Sequence, residues 1–163
     1  MLLRVNSGRE NYMGLFPPRR DQQSDSELGR QGETHITARL MAVGYVVLIP
    51  VDGVQRYDMV IEDANGQFWR IQCKKGRWKE DEGVVEFTVR SSGSYRQGKW
   101  SPQPYKNDAI DYFAVYCREL DKVYLVPSDL VGVNTVWLRV LDSKSKRGGG
   151  RHLAAKWAAD YEL

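Results

Sequence analysis

The chain has 163 residues, 42% of them apolar and 28% charged, with a formal net charge of +3 and a pI of about 8.8. That length suits one domain with a real core, and no apolar run approaches the roughly 18 residues that span a membrane. The two distant cysteines, Cys73 and Cys117, match no metal spacing, and the start "MLLRVNSGRENY" lacks a signal peptide's apolar region, so a reduced, soluble protein of the cytoplasm or nucleoid is expected, basic enough locally for an anionic partner.

Residues 1–23 are polar, aperiodic and interrupted by Pro-Pro-Arg-Arg, and read as a flexible N-terminal arm; residues 24–163 read as the domain. "SDSE" (Ser24 to Glu27) is a capping box, predicting a helix to about Val43, where Gly44 ends it. "YVVLIP" (Tyr45 to Pro50) is a continuous apolar run of the length of a buried strand. "YDMVIED" and "QFWRIQCKK" are two further strands, joined at Asn65-Gly66, both of which tolerate the positive φ of a tight hairpin. "VVEFTVR" (Val84 to Arg90) alternates as a fourth strand, and a Gly/Ser/Pro-rich loop follows to about Asn107. "DYFAVYC" and "KVYLVP" make two more strands, with a short helical turn at Ser128, and the tail "HLAAKWAADYEL" reads as weakly helical. One helix followed by about five or six strands predicts an α/β, or α+β-like, mixed sheet with the helix packed on it.

Side chains alternate faces along a strand. Trp69, Ile71 and Cys73 form the apolar face of their strand, so Gln72 and Lys74 share the other; the same parity groups Asp58 with Val60 and Glu62. Pairing through Asn65-Gly66 brings Asp58 beside Gln72 and Lys74. On the helix, Glu33, Ile36, Leu40 and Val43 form one stripe expected to face the sheet, which places the Glu33 carboxylate on the buried side. A buried carboxylate needs a cation, and Lys74 or a metal ion would serve. Glu33, Asp58 and the amide of Gln72 are hard oxygen ligands suited to Mg²⁺, which polarises a phosphate and lowers the pKa of a bound water; Lys74 would orient or activate that water, or offset transition-state charge. Taken singly, each residue has an ordinary reading: Asp58 a turn acid, Gln72 and Lys74 an exposed strand face, Glu33 a salt-bridged helix residue.

At these residues the sequence resembles the PD-(D/E)XK nuclease superfamily, whose motif is an acid on one strand and acid-x-Lys on the next, with a Glu on the preceding helix. More narrowly it resembles the group I intron-associated homing endonucleases of bacteria: Gly32-Glu33, Tyr57-Asp58, "IQCK" (Ile71 to Lys74), "DAIDYFAVYC", "VYLVP" and the final "YEL" match that group in order, over residues 25–163. The resemblance implies a restriction-endonuclease-like mixed β-sheet flanked by helices. It also implies a Mg²⁺-dependent endonuclease of double-stranded DNA with Glu33, Asp58, Gln72 and Lys74 as catalytic residues, the first three on the metal. Gln72 stands where the superfamily usually has an acid, and the intron-associated group also has Gln there. The alternatives are a Holliday-junction-resolvase-like or restriction-type nuclease, which would share the core, and a non-catalytic DNA-binding module on the same fold.

Lys75, Arg77 and Lys79 follow the motif directly, and with Arg90, Arg96 and Lys99 they are placed to track a phosphate backbone. Lys146 and Arg147, with Lys144 and Arg151 in a glycine-rich patch, read either as a flexible phosphate-binding loop or as a merely disordered one. Trp100 and Tyr105 line the groove or pack. Asp108 and Asp111 read as holding a loop or strand start, Cys73 and Cys117 as core, and His35 and His152 as surface residues. A long DNA site read by so small a chain implies a symmetric homo-oligomer, a dimer or tetramer.

Overall fold

The structure is a computed structural model that describes residues 24–90, 109–132, 134–142 and 155–163, and the backbone alone of 94–96 and 99–101. The arm (residues 1–23), Tyr105, Asp108, Lys144, Lys146, Arg147, Arg151 and His152 lie outside the described residues, as do the side chains of Arg96, Lys99 and Trp100.

Helix α1 (Asp25–Ala42) starts at the capping box: the Glu27 amide donates to Ser24 Oγ at 3.3 Å, and the Ser24 amide donates to Glu27 Oε2 at 2.9 Å. Ile36 and Leu40 are fully buried, but Val43 is 47% exposed because it caps the helix and leaves the stripe. Three strands follow: β1 (Val46–Leu48), β2 (Met59–Glu62) and β3 (Phe68–Lys79). β1 is not the buried strand its composition suggests. Among the described residues it pairs only with β2 and forms an edge, with Val46 56% and Leu48 44% exposed. β2 and β3 form the predicted antiparallel hairpin, with Gly66 at φ 74° in its turn.

β3 runs four residues beyond the predicted end, through Gly76 and Arg77 to Lys79. It then pairs antiparallel with β4 (Val84–Thr88) after a 3-10 turn at Glu80–Glu82. The segment read as loop contains a hairpin, β5 (Ser94–Arg96) with β6 (Lys99–Ser101). β7 (Tyr112–Cys117) lies parallel to β3, and β8 (Lys122–Pro127) antiparallel to β7. β9 (Thr135–Arg139) pairs with β4, and β10 (Lys156–Trp157) adds to β9 in parallel, followed by a 3-10 turn at Ala158–Asp160 where the sequence suggested a weak helix. The result is one eight-stranded mixed sheet and a separate pair, more strands than expected; among the described residues α1 is the one α-helix, where flanking helices were expected.

Two apolar clusters lie on opposite faces of the sheet. Ile36 and Leu40 of α1 pack with Met59, Ile61, Ile71 and Ala114, while Phe87, Phe113, Val115, Tyr124 and Leu138 fill the other side. Asp111 locks β7 onto β3 by accepting from the Arg70 amide (2.7 Å), Arg70 Nε (3.0 Å) and Arg70 NH2 (2.9 Å). It holds a strand start, as its position suggested.

Gly76 sits where β3 is squeezed between β4 and β7. A Cβ there would stand 2.9 Å from Val85 Cγ1, 3.1 Å from Val115 Cγ1 and 3.3 Å from Cys117 Cβ. Gly76→Ala should therefore cost about 1–3 kcal/mol, the usual penalty of overpacking a full core. It would be read as a lower urea midpoint at unchanged slope; an unchanged midpoint would mean the neighbouring strands yield freely.

Candidate active site at a fork in the sheet

On one side, β3 pairs with β2 through residues 68–71 and with β4 through residues 77–79. Between those stretches, residues 72–76 have no strand partner on that side among the described residues, while β7 pairs them on the other. The sheet forks there, leaving main-chain groups of β3 open to side-chain partners. Asp58 fills the gap. Its amide donates to the Ile71 carbonyl at 2.9 Å, one residue out of step with the β2–β3 ladder, which ends at Met59 opposite Ile71, so the chain shifts register just where Asp58 enters the gap. Its Oδ2 accepts from the Cys73 amide at 2.7 Å and from Gln72 Nε2.

Lys74 projects on the same face as Gln72, beside Val115 of β7, and its Nζ donates to the Arg90 carbonyl at 2.8 Å. Burial pulls its pKa down from an ordinary 10.5 to about 8, against the attraction of Asp58. Burial also raises the Asp58 carboxyl, even though the Cys73 amide, Lys74 and Gln72 all favour its charged form.

Glu33 reaches the fork from the other layer. Helix α1 covers the Ile71 and Cys73 face, opposite Gln72 and Lys74, and Glu33 lies on an exposed flank of the helix rather than its buried side. The expectation of a buried Glu33 fails because the stripe through Ile36 and Leu40 buries its middle and leaves both ends, Glu33 and Val43, outside. Glu33 still feels the site: desolvation raises its carboxyl first, and the charge of Asp58 raises it further. Cys73 lies between them, half-buried, its thiol pushed far up by burial and then by Asp58 and Glu33. It packs against the helix-side cluster, and Cys117 is buried in the other.

A cavity of about 330 Å³ opens at the fork between the first turns of α1 and the edge of β3; Gln31, Glu33, His35, Lys74, Lys75 and Arg118 are among its lining residues. His35 is exposed and stacks on Tyr116 with ring centroids 4.5 Å apart. Sequence reasoning passed over Gln31 and Arg118. Arg118 follows "DYFAVYC" directly, and the pairing of Lys75 with Tyr116 is the signal that brings it near. Of the basic candidates, Lys75 and Arg77 are exposed, Lys79 is half-buried, and Arg90 contributes its carbonyl to Lys74.

Among the described residues no three His, Cys, Asp or Glu side chains gather as a metal site. The fork offers two carboxylates and one amide instead. That donor set fits a hard divalent cation: the ligand atoms are oxygens, and both carboxyls sit above their ordinary pKa, as expected of acids desolvated together without a full countercharge.

Comparison with known proteins bears on this arrangement. Among solved structures, a bacterial homing endonuclease, I-Ssp6803I, shares the fold with a TM-score of 0.65 at 22% identity, over 86% of this chain and 89% of that one. No curated protein matches the sequence. The PD-(D/E)XK endonuclease family profile matches residues 23–163, which takes in the helix, the fork and both half-sheets. With the match covering nearly all of the described residues, the chain belongs to the PD-(D/E)XK endonuclease family.

Proposed function

We propose that this chain is a Mg²⁺-dependent endonuclease that hydrolyses phosphodiester bonds in double-stranded DNA, with Glu33, Asp58, Gln72 and Lys74 as its catalytic residues and a homing-type long site as its target. The observation that carries this reading is the Asp58 carboxylate, desolvated at the sheet fork, hydrogen-bonded to Gln72 and within the fields of Lys74 and Glu33. Asp58 and Glu33 would supply the anionic ligands and Gln72 its Oε1. A bound Mg²⁺ would contribute Lewis-acid stabilisation of the charge that builds on the scissile phosphate. The Cys73 amide holds Asp58 in place, and the Arg90 carbonyl fixes Lys74 Nζ. With a pKa of about 8, Lys74 is poised to take a proton from the attacking water.

Lys75, Arg77, Lys79, Arg90, Arg96, Lys99, Lys146 and Arg147 are the proposed DNA contacts. The exposed, apolar edge strand β1 supports a symmetric homo-oligomer, since such an edge is a template for pairing with a second copy.

Plasmid nicking tests the reading: Mg²⁺ should support it and EDTA should stop it. DNA retarded in a gel but never cut would instead identify a binding module. Gln72→Glu adds a third anionic ligand and should lower the Mg²⁺ concentration for half-maximal nicking by about tenfold, a little over 1 kcal/mol. An identical metal titration curve would remove Gln72 from the ligand set.

A further inference from the structure

The face of β3 that carries Cys73 continues past the fork as Lys75, Arg77 and Lys79, and β4, β9 and β10 extend it sideways. Residues paired across strands share a face. Arg77, Glu86 and Trp137 therefore form one row, Lys79, Val84, Arg139 and Trp157 the next, and Thr88 with Thr135 a third. These rows lie opposite Val85, Phe87, Val136 and Leu138, which point into the core. Arg77, Thr88 and Trp157 are exposed; Lys79, Glu86, Trp137 and Arg139 are half-buried. Val84, paired with Lys79 on one side and Arg139 on the other, is fully buried, and the Arg139 guanidinium donates to the Leu141 carbonyl at 3.4 Å. Among the described strand residues, this face carries Lys75, Arg77, Lys79 and Arg139 against Glu86. The charge of Glu86 is already shared, with Trp137 Nε1 donating to it at 3.0 Å and Lys79 Nζ 3.9 Å away.

We propose that this face docks duplex DNA, with Arg77, Lys79 and Arg139 on the phosphates and the end of the β4–β9 pair at Thr88 and Thr135, which neither β3 nor β10 flanks among the described residues, as the short two-stranded ribbon directed into the major groove. The inference rests on the nuclease reading and extends it to residues of the second half-sheet, far in sequence from the motif. Charge complementarity selects the partner, and the dimensions agree: the major groove admits a two-stranded β-ribbon. Thr88, Thr135, Glu86 and the anchored Trp137 indole are then the side chains nearest the base edges. The acidic turn Glu80–Glu82 closes the far end of the β3–β4 hairpin and bounds the surface.

The experiment measures binding of the full chain to a fluorescent 30-base-pair mixed-sequence duplex, in EDTA, from about 50 to 200 mM salt. For Arg77→Gln/Arg139→Gln, the slope of log affinity against log salt should fall in magnitude by about 2, close to one per lost phosphate contact. Arg77→Gln alone should give about half that change, and serves if the double variant does not fold. An unchanged slope overturns the proposal. So does a changed sedimentation mass with unchanged slope, which would make the face a contact between copies of the chain. Nicking of plasmid by the parent protein, followed separately, keeps the two readings apart. A chain that never cuts but loses salt slope keeps the surface and loses the active site; one that cuts with its slope intact does the reverse.

Discussion

Asp58→Asn is expected to reduce Mg²⁺-dependent cleavage by on the order of 10²–10³-fold or more, the scale seen when one element of transition-state charge stabilisation is removed. The substitution keeps shape and takes away the charge. The carbonyl oxygen of the new side-chain amide can still accept from the Cys73 amide, so the β2–β3 junction should hold. Because burial raises the Asp58 carboxyl, its ionised form costs the folded state free energy as pH rises from the unfolded carboxyl range through the raised value. At neutral pH the neutral isostere should therefore be at least as stable as the parent. Duplex binding in EDTA should survive. Cleavage at the parental rate would remove Asp58 from the site, and loss of the folded baseline would show that it acts as a structural acid.

Lys74→Met should likewise abolish cleavage, and it should raise stability at neutral pH. The Lys74 pKa of about 8 lies below its ordinary 10.5, so the lysine's full contribution is present only above 10.5 and is lost as pH falls through about 8. At pH 7 the protein holds a desolvated ammonium, and replacing it with a thioether of similar length should stabilise the fold by on the order of 1–3 kcal/mol. The lower part of that range allows for the Arg90 carbonyl, which loses its donor. Above pH 10.5 the gain should vanish. Lys74→Arg separates the two chemical roles, since a guanidinium keeps the charge but cannot take a proton. If Lys74 is the base, Lys74→Arg should be as inactive as Lys74→Met, and the parent's single-turnover rate should climb with pH until about 8. Substantial cleavage by Lys74→Arg would assign the residue to charge stabilisation alone.

Much of this was legible because it is local. Ser24 and Glu27 announce a helix start through groups three residues apart, and Asn65-Gly66 sets a hairpin whose ladder runs to Met59 opposite Ile71; the one-residue slip that then carries the Asp58 carboxylate to Gln72 and the Cys73 amide is not contained in the alternation. What the sequence could not convey was which layer covers which face. The apolar parity of Ile71 and Cys73 identifies a buried surface, but Gln72 and Lys74 also lie beside packed residues, Phe113 and Val115, because at β3 and β7 each face of the sheet carries an apolar cluster. Glu33 was therefore read as facing the wrong environment. Tyr45 to Pro50 misled for a related reason: an apolar strand at an edge is indistinguishable by composition from one in the middle. The far end of β3 was lost because Gly76 resembles a breaker, whereas its lack of a side chain is what lets Val85, Val115 and Cys117 close over the strand.

β3 passes without interruption from Gln72 and Lys74 to Arg77 and Lys79. One residue inserted between those two groups would invert every side chain beyond it, sending the arginine and second lysine toward the core and valine-facing positions toward solvent. Divergence in chain length can therefore accumulate at the hairpin tips, near Asn65-Gly66 and Glu80–Glu82, but hardly within β3 itself. Along this strand the spacing of the motif is a mechanical phase, and a relative that kept the residues but lost the count would lose the geometry.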